Sequence, residues 1–238
     1  MRKNIMIRVL GLLCISFFVS AVLADNSYKI QDSNKRGSVS VPYDIQISLP
    51  FFDGIPSLNK AINESKSGIM QDFYNASIQV AVDHSDNSPS LNNQLKGTFV
   101  VTRDDIFKSI VVKLMEFHSP AAHPTYSLRT FNYDVDIGRC VKLSELFKDR
   151  QSLNLLATLS QKKLLKNNVG LDSQSNVFVN ATQYTDNNYQ YWSVDQNNVT
   201  IYFWYTITGI SDGQQAVTFS GQELASLLSV YGKQLLKV

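Results

Sequence analysis

Residues Phe117–Phe147 read FHSPAAHPTYSLRTFNYDVDIGRCVKLSELF, and the fold turns on this stretch. From Tyr126 to Asp136, Tyr126, Leu128, Thr130, Asn132 and Asp134 oppose Ser127, Arg129, Phe131, Tyr133 and Val135. That alternation is the period of two expected of a strand. Ile137-Gly138-Arg139 turns the chain, Cys140–Leu143 is short and extended, and Ser144 is placed to cap a helix beginning Glu145-Leu146-Phe147.

Upstream, Gln94–Thr102 and Ile106–Phe117 read as two strands joined at Arg103-Asp104-Asp105. Before them, Ser38–Leu49 alternates with Val39, Val41, Tyr43, Ile45, Ile47 and Leu49 on one face, and Pro42 suits a strand start or an edge. Asp25–Arg36 is a polar lead or a first edge strand. Ser57–Tyr74 carries Leu58, Ala61, Ile62, Ile69, Phe73 and Tyr74 at helical spacing, interrupted by Gly68, and Ser77–Val82 suggests a short strand. Asp83–Asn93 is loop by composition.

Downstream, Gln151–Lys166 predicts a helix with Leu153, Leu156, Leu159, Leu164 and Leu165 inward. Asn167–Asn188 is polar loop around an apolar island at Val177–Val179. Tyr189–Val194 and Val199–Tyr205 form a hairpin about Asp195-Gln196-Asn197-Asn198, Gly213 precedes a last strand at Ala216–Phe219, and Ser220–Leu236 predicts one amphipathic helix. Strands come in runs, with too few helices to cover both faces of a parallel sheet. The predicted class is α+β, antiparallel sheets with helices packed on one face.

Residues 1–24 are set aside as a signal peptide. Arg2, Lys3 and Arg8 make a basic start, Val9–Val19 is too short an apolar run to span a membrane, and Val22-Leu23-Ala24 offers a cleavage site. A smaller strand–helix subdomain is then expected over 25–95 and a larger one over 96–238. Removing the three basic residues leaves 19 Lys and Arg against 20 Asp and Glu, a net charge near −1. No long basic block remains, which argues against nucleic acid and anionic membrane surfaces as partners. Only Cys140 remains as a thiol, so no internal disulfide forms, and a lone cysteine here is expected as a small buried hydrophobe.

The central stretch supports a resemblance. Ala122-His123-Pro124, Thr130-Phe131-Asn132-Tyr133-Asp134, Gly138-Arg139 and Leu143-Ser144-Glu145-Leu146-Phe147 resemble the core motif of a bacterial extracytoplasmic domain family. That family's pattern is Gly-Gly-Ala-His-Gly, a strand ending Thr-x-Asn-Phe/Tyr-Asp, a Gly-Lys/Arg turn, then Leu-x-Asp-Leu-Phe. It includes the ectodomain of the RsiV anti-sigma factor, the non-catalytic domain of PdaC-type peptidoglycan deacetylases and a secreted mycobacterial antigen. Val199–Tyr205, Gly213, Ala216–Phe219 and Glu223-Leu224 are similar to its C-terminal part, and Tyr43–Pro50, Gly54 and Ala61-Ile62-Asn63 to the small domain that precedes it. Pro120, Ala121 and Pro124 replace the family's glycines, which makes this loop stiffer.

The resemblance implies a secreted or periplasmic, non-enzymatic α+β module that binds a cell-envelope protein or glycan and needs no cofactor. The RsiV partner is lysozyme, so a lysozyme-like partner enters by analogy. The candidate binding residues are Ala122, His123, Asn132 and Asp134 of the motif, with Trp192 and Trp204 of the aromatic run. About half of that run, Tyr184 to Tyr205, must face inward; the other half could form an aromatic platform for sugar rings or a protein. The alternative is an envelope hydrolase of peptidoglycan or acyl groups using Ser119, His123 and Asp134. No Gly-x-Ser-x-Gly elbow accompanies these residues, and a structural role for His123 in its loop and Asp134 at its turn is the plainer expectation. His84, His118 and His123 lack the spacing and second ligand pair of a zinc site, and Asp134 with Asp136 lack the oxygen-rich loop of a calcium site.

Overall fold

Strands β1 (Tyr28–Arg36), β2 (Tyr43–Phe52), β3 (Asn93–Asp104), β4 (Phe107–Phe117), β5 (Thr125–Asp134) and β6 (Arg139–Cys140) lie side by side in that order in one six-stranded sheet. The computed structural model describes residues 28–38, 42–83, 92–167, 171–203 and 215–238; the expected signal segment, Val39, Val41 and Gly213 lie outside them. Helix α1 (Pro56–Asp83) connects β2 to β3 and packs on one face of the sheet. Leu58, Ile62, Ile69 and Phe73 of the helix meet Ile45, Ile47, Leu49, Ile110, Val112 and Leu114 in one buried cluster. Each such side chain, once buried, contributes about 1.5–3 kcal/mol.

The period-two reading of β2 holds, with Ile45, Ile47 and Leu49 buried. Two expectations for this half are corrected. Residues Ser77–Val82 belong to α1, where Ser77 Oγ donates to the Phe73 carbonyl one turn back at 2.9 Å. The sheet is mixed, because β2 pairs with β3 in parallel through the helical crossover. Through that parallel pairing Leu95 of β3 lies beside Ile45 of β2.

A second layer forms from β7 (Trp192–Val194), β8 (Asn198–Phe203) and β9 (Gln215–Ser220), an antiparallel three-stranded sheet. Helices α2 (Arg150–Asn167), α3 (Asn176–Thr182), α4 (Gly221–Leu224) and α5 (Val230–Leu236) close its core around Leu156, Phe178, Ile201, Phe219 and Leu235. Strand β7 joins this layer to the large sheet through a polar seam. Asn132 Nδ2 donates to the Trp192 carbonyl at 2.7 Å and its Oδ1 accepts from Ser109 Oγ at 2.7 Å. Ser109 Oγ in turn accepts from Val194 N at 2.9 Å, and Thr102 Oγ1 donates to the Val194 carbonyl at 2.8 Å. Each buried polar group in the seam has a partner, the condition for keeping such groups away from water.

Four further corrections concern the second layer and its approach. A 3-10 turn, Leu143–Leu146, replaces the helix start, and Glu145 rather than Ser144 closes it, accepting from Lys142 N at 2.8 Å. Asp149 then caps α2 by accepting from Ser152 N at 2.7 Å. The loop expected over Asn167–Asn188 contains α3, whose Phe178 is buried. The single C-terminal helix is two, with Ser220 and Glu223 capping the first and Ser229 the second. Between them Leu228 bridges to Phe147, a tertiary pairing that continuous helix would forbid. Cys140, expected buried, is exposed.

Candidate functional site

Strand β5 divides the sequence motif. His123 lies in the exposed loop before it, with Nδ1 3.3 Å from the Pro124 carbonyl oxygen, and Ala122 beside it is exposed. Ser119 is tied into the same loop by its backbone N–H, which donates to Asn93 Oδ1 at 3.0 Å. The neighbouring His118 ring packs on Phe73 at 4.8 Å between centroids, and burial lowers its pKa. Asn132 and Asp134 sit at the far end of the ten-residue strand. At about 3.3 Å per residue, β5 alone puts roughly 30 Å between the loop that carries His123 and Asp134 at its far end.

Asp134 is buried and its acceptor sites are occupied. Its Oδ1 receives the backbone N–H groups of Asp136 and Ile137, both at 3.0 Å, and its Oδ2 receives the Tyr231 hydroxyl at 2.6 Å. Burial, and then this bond, raise the Tyr231 phenol. Beside it Arg139 grips Glu145 with two bonds of 3.0 and 2.7 Å and holds that carboxyl below its usual range. Asn132 belongs to the inter-sheet seam. Among the described residues no group of three His, Cys, Asp or Glu side chains could hold a metal ion; His84 lies outside them.

A cleft of about 200 Å³ lies between the 3-10 turn, which belongs to the motif, and the segment that leads into β7. Lys142 and Ser144 line one side, Tyr184, Asp186 and Gln190 the other, with Tyr189 and Trp192 beneath. Arg150 orders this wall by donating to the Tyr184 carbonyl at 3.0 Å while its guanidinium lies 4.7 Å from that ring's centroid. The Tyr184 hydroxyl donates to Asp186 Oδ1 at 3.0 Å, and burial with that bond pushes the phenol to about 12. Lys142, Asp186 and Gln190 are exposed, so the cleft offers a cation, a carboxylate and an amide above an aromatic base.

Of the sequence candidates, only Trp192 borders this cleft, and its ring is 97% covered, packed against Phe107 at 6.4 Å. Trp204 lies outside the described residues. The sequence reading missed Lys142, Ser144, Asp186 and Gln190 as a group. The one signal available was that Lys142 and Ser144 lie inside the motif and Asp186 inside the asparagine-rich segment.

No protein-family model matches the chain, and no curated protein matches it. Solved structures do. A DUF3298 family member from Bacteroides fragilis superposes with a TM-score of 0.59 at 11% identity, over 88% of this chain and 96% of that one. A DUF3298 family protein from Pseudomonas aeruginosa gives 0.53 at 14% identity, over 87% and 96%. The fold is therefore the α+β fold of DUF3298 proteins, an uncharacterised domain family. At these identities the likeness establishes fold, and function has to be argued from the site.

Proposed function

We propose that this protein is a non-enzymatic binding module of the cell envelope, secreted or periplasmic, of the kind found in the RsiV ectodomain and beside PdaC-type deacetylase domains. The observation that carries the reading is the separation of His123 from Asp134 by the length of β5. A hydrolytic His–Asp pair needs hydrogen-bond contact. Asp134 is instead committed to two turn amides and Tyr231. The motif residues then serve the fold, and recognition falls to the cleft of Lys142, Ser144, Tyr184, Asp186 and Gln190.

A small concave site with few convergent polar groups over aromatic rings suits a ligand that presents both a ring or amide plane and hydrogen-bonding edges. An envelope glycan, its peptide stem, or a side chain of an envelope-directed protein fits that description. The test is retention of envelope fractions on the immobilised protein, compared with a charge-swapped cleft, Lys142→Glu with Asp186→Lys. Saturable retention that the swap abolishes supports the cleft; retention that survives it places recognition elsewhere.

A further inference from the structure

A larger groove runs along the β1 edge of the six-stranded sheet. Among the described residues β1 has β2 on one side and no strand on the other, so one row of its N–H and C=O groups faces outward. Over it stands α1, and between strand and helix runs an open groove of about 770 Å³. The strand side contributes Ser33 and Lys35, the helix side Lys66 and Gln71, and Tyr43 with Tyr74 closes one end in an edge-to-face pair at 5.7 Å. Tyr74 keeps 38% of its surface exposed.

The charges lining this groove are two lysines, Lys35 and Lys66, against one carboxylate, Asp32. Lys66 Nζ donates to Ser33 Oγ at 3.2 Å, and neither it nor Lys35 makes an ion pair among the described residues. Arg36, next along the strand, is exposed as well. The carboxylate at the groove, Asp32, is engaged by Ser48 Oγ at 2.5 Å. Charges on an edge strand keep it from pairing at random. Here cations outnumber the one carboxylate, Lys35, Arg36 and Lys66 against Asp32, so the edge as a whole disfavours basic strands and favours acidic ones.

We propose that this edge takes an extended acidic peptide segment of a partner protein as a seventh strand, its backbone on β1 and alternate side chains in the groove beneath α1. Strand addition at an edge beside a helix supplies affinity through main-chain bonds and specificity through alternate side chains. The acidic residues would meet Lys35 and Lys66, and an apolar residue would meet Tyr43 and Tyr74. The proposal does not rest on the cleft described above.

The test uses protein purified after expression of the full chain and, as probe, a capped peptide of alternating valine and glutamate at low salt. Saturable binding is expected, with hydrogen-exchange protection confined to β1 and α1. Lys35→Glu, at an exposed position, and Lys66→Glu, at a half-buried one, should each weaken it about tenfold, as should methylation of the probe's alternate amides. The cleft variant Lys142→Glu should bind as the wild type does. Equal binding of a valine–lysine probe, indifference to amide methylation, or protection elsewhere overturns the proposal. So does a wild-type dimer whose β1 amides are protected without peptide, which assigns the edge to a second copy.

Discussion

Asp134 accepts a 2.6 Å hydrogen bond from Tyr231, a residue 97 positions later in the chain. The bond fastens α5 to the turn between β5 and β6, where the same carboxylate also gathers two turn amides. A bond to a charged acceptor contributes about 1.5–3 kcal/mol, because losing it leaves a buried acceptor short of a partner. Tyr231→Phe keeps the ring and removes the hydroxyl. It should lower unfolding free energy by about 1.5–3 kcal/mol in denaturant titrations, with little change in far-ultraviolet circular dichroism.

Alkaline pH should act through the buried phenols. Burial raises Tyr184 to about 12 from an ordinary 10.0, and raises Tyr189 and Tyr231 as well. In the unfolded chain these groups lose their protons first, so the folded state binds more protons and stability falls with rising pH. Their contribution is fully present below pH 10 and is lost as pH climbs through the folded values. Denaturation midpoints measured across this range should decline between pH 10 and 12, and Tyr184→Phe should make the decline shallower.

Gly232 is the contact point of α5. A Cβ there would run into the Leu146 carbonyl oxygen and come within 3.1 Å of Leu146 Cα, and these are backbone atoms rather than the flexible end of a side chain. Gly232→Ala should therefore destabilise the fold by about 1–3 kcal/mol, the usual cost of overpacking, despite alanine's better helix propensity. Thermal unfolding checks this, and an unchanged midpoint would show that α5 can shift on its base.

The seam between the sheets should behave as a unit. Asn132→Ala strands the Trp192 carbonyl and Ser109 Oγ, at a cost of about 1–3 kcal/mol. Because Ser109 also receives Val194 N, Asn132→Ala and Ser109→Ala share partners and should not add. A double-mutant cycle by denaturant unfolding measures the coupling; strict additivity would mean that the two bonds hold the sheets independently.

The local half of this fold was legible. Ile45, Ile47 and Leu49 announced β2 by alternation, and Gly138 marked the turn after β5, where its φ is +74°. Elements set by distant contacts were not. Ser77–Val82 is a short apolar run whose local pattern fits strand or helix; in α1 its buried Ser77 hydroxyl donates to the Phe73 carbonyl one turn back. The break in the C-terminal helix is imposed by Leu228 meeting Phe147 and Gly232 meeting Leu146. The motif was visible as sequence, yet β5 carries its two ends apart, while Lys142 and Asp186 face one cleft from segments that no periodicity connects.

We propose a module that binds and does not cleave. The most direct test is calorimetric titration of soluble peptidoglycan fragments, and separately of lysozyme, with the same mixtures assayed for bond cleavage. The account predicts saturable binding of at least one, no turnover, the same affinity in His123→Ala, and about tenfold or greater weakening in Lys142→Glu with Gln190→Ala. Turnover by the wild type that His123→Ala abolishes would contradict it.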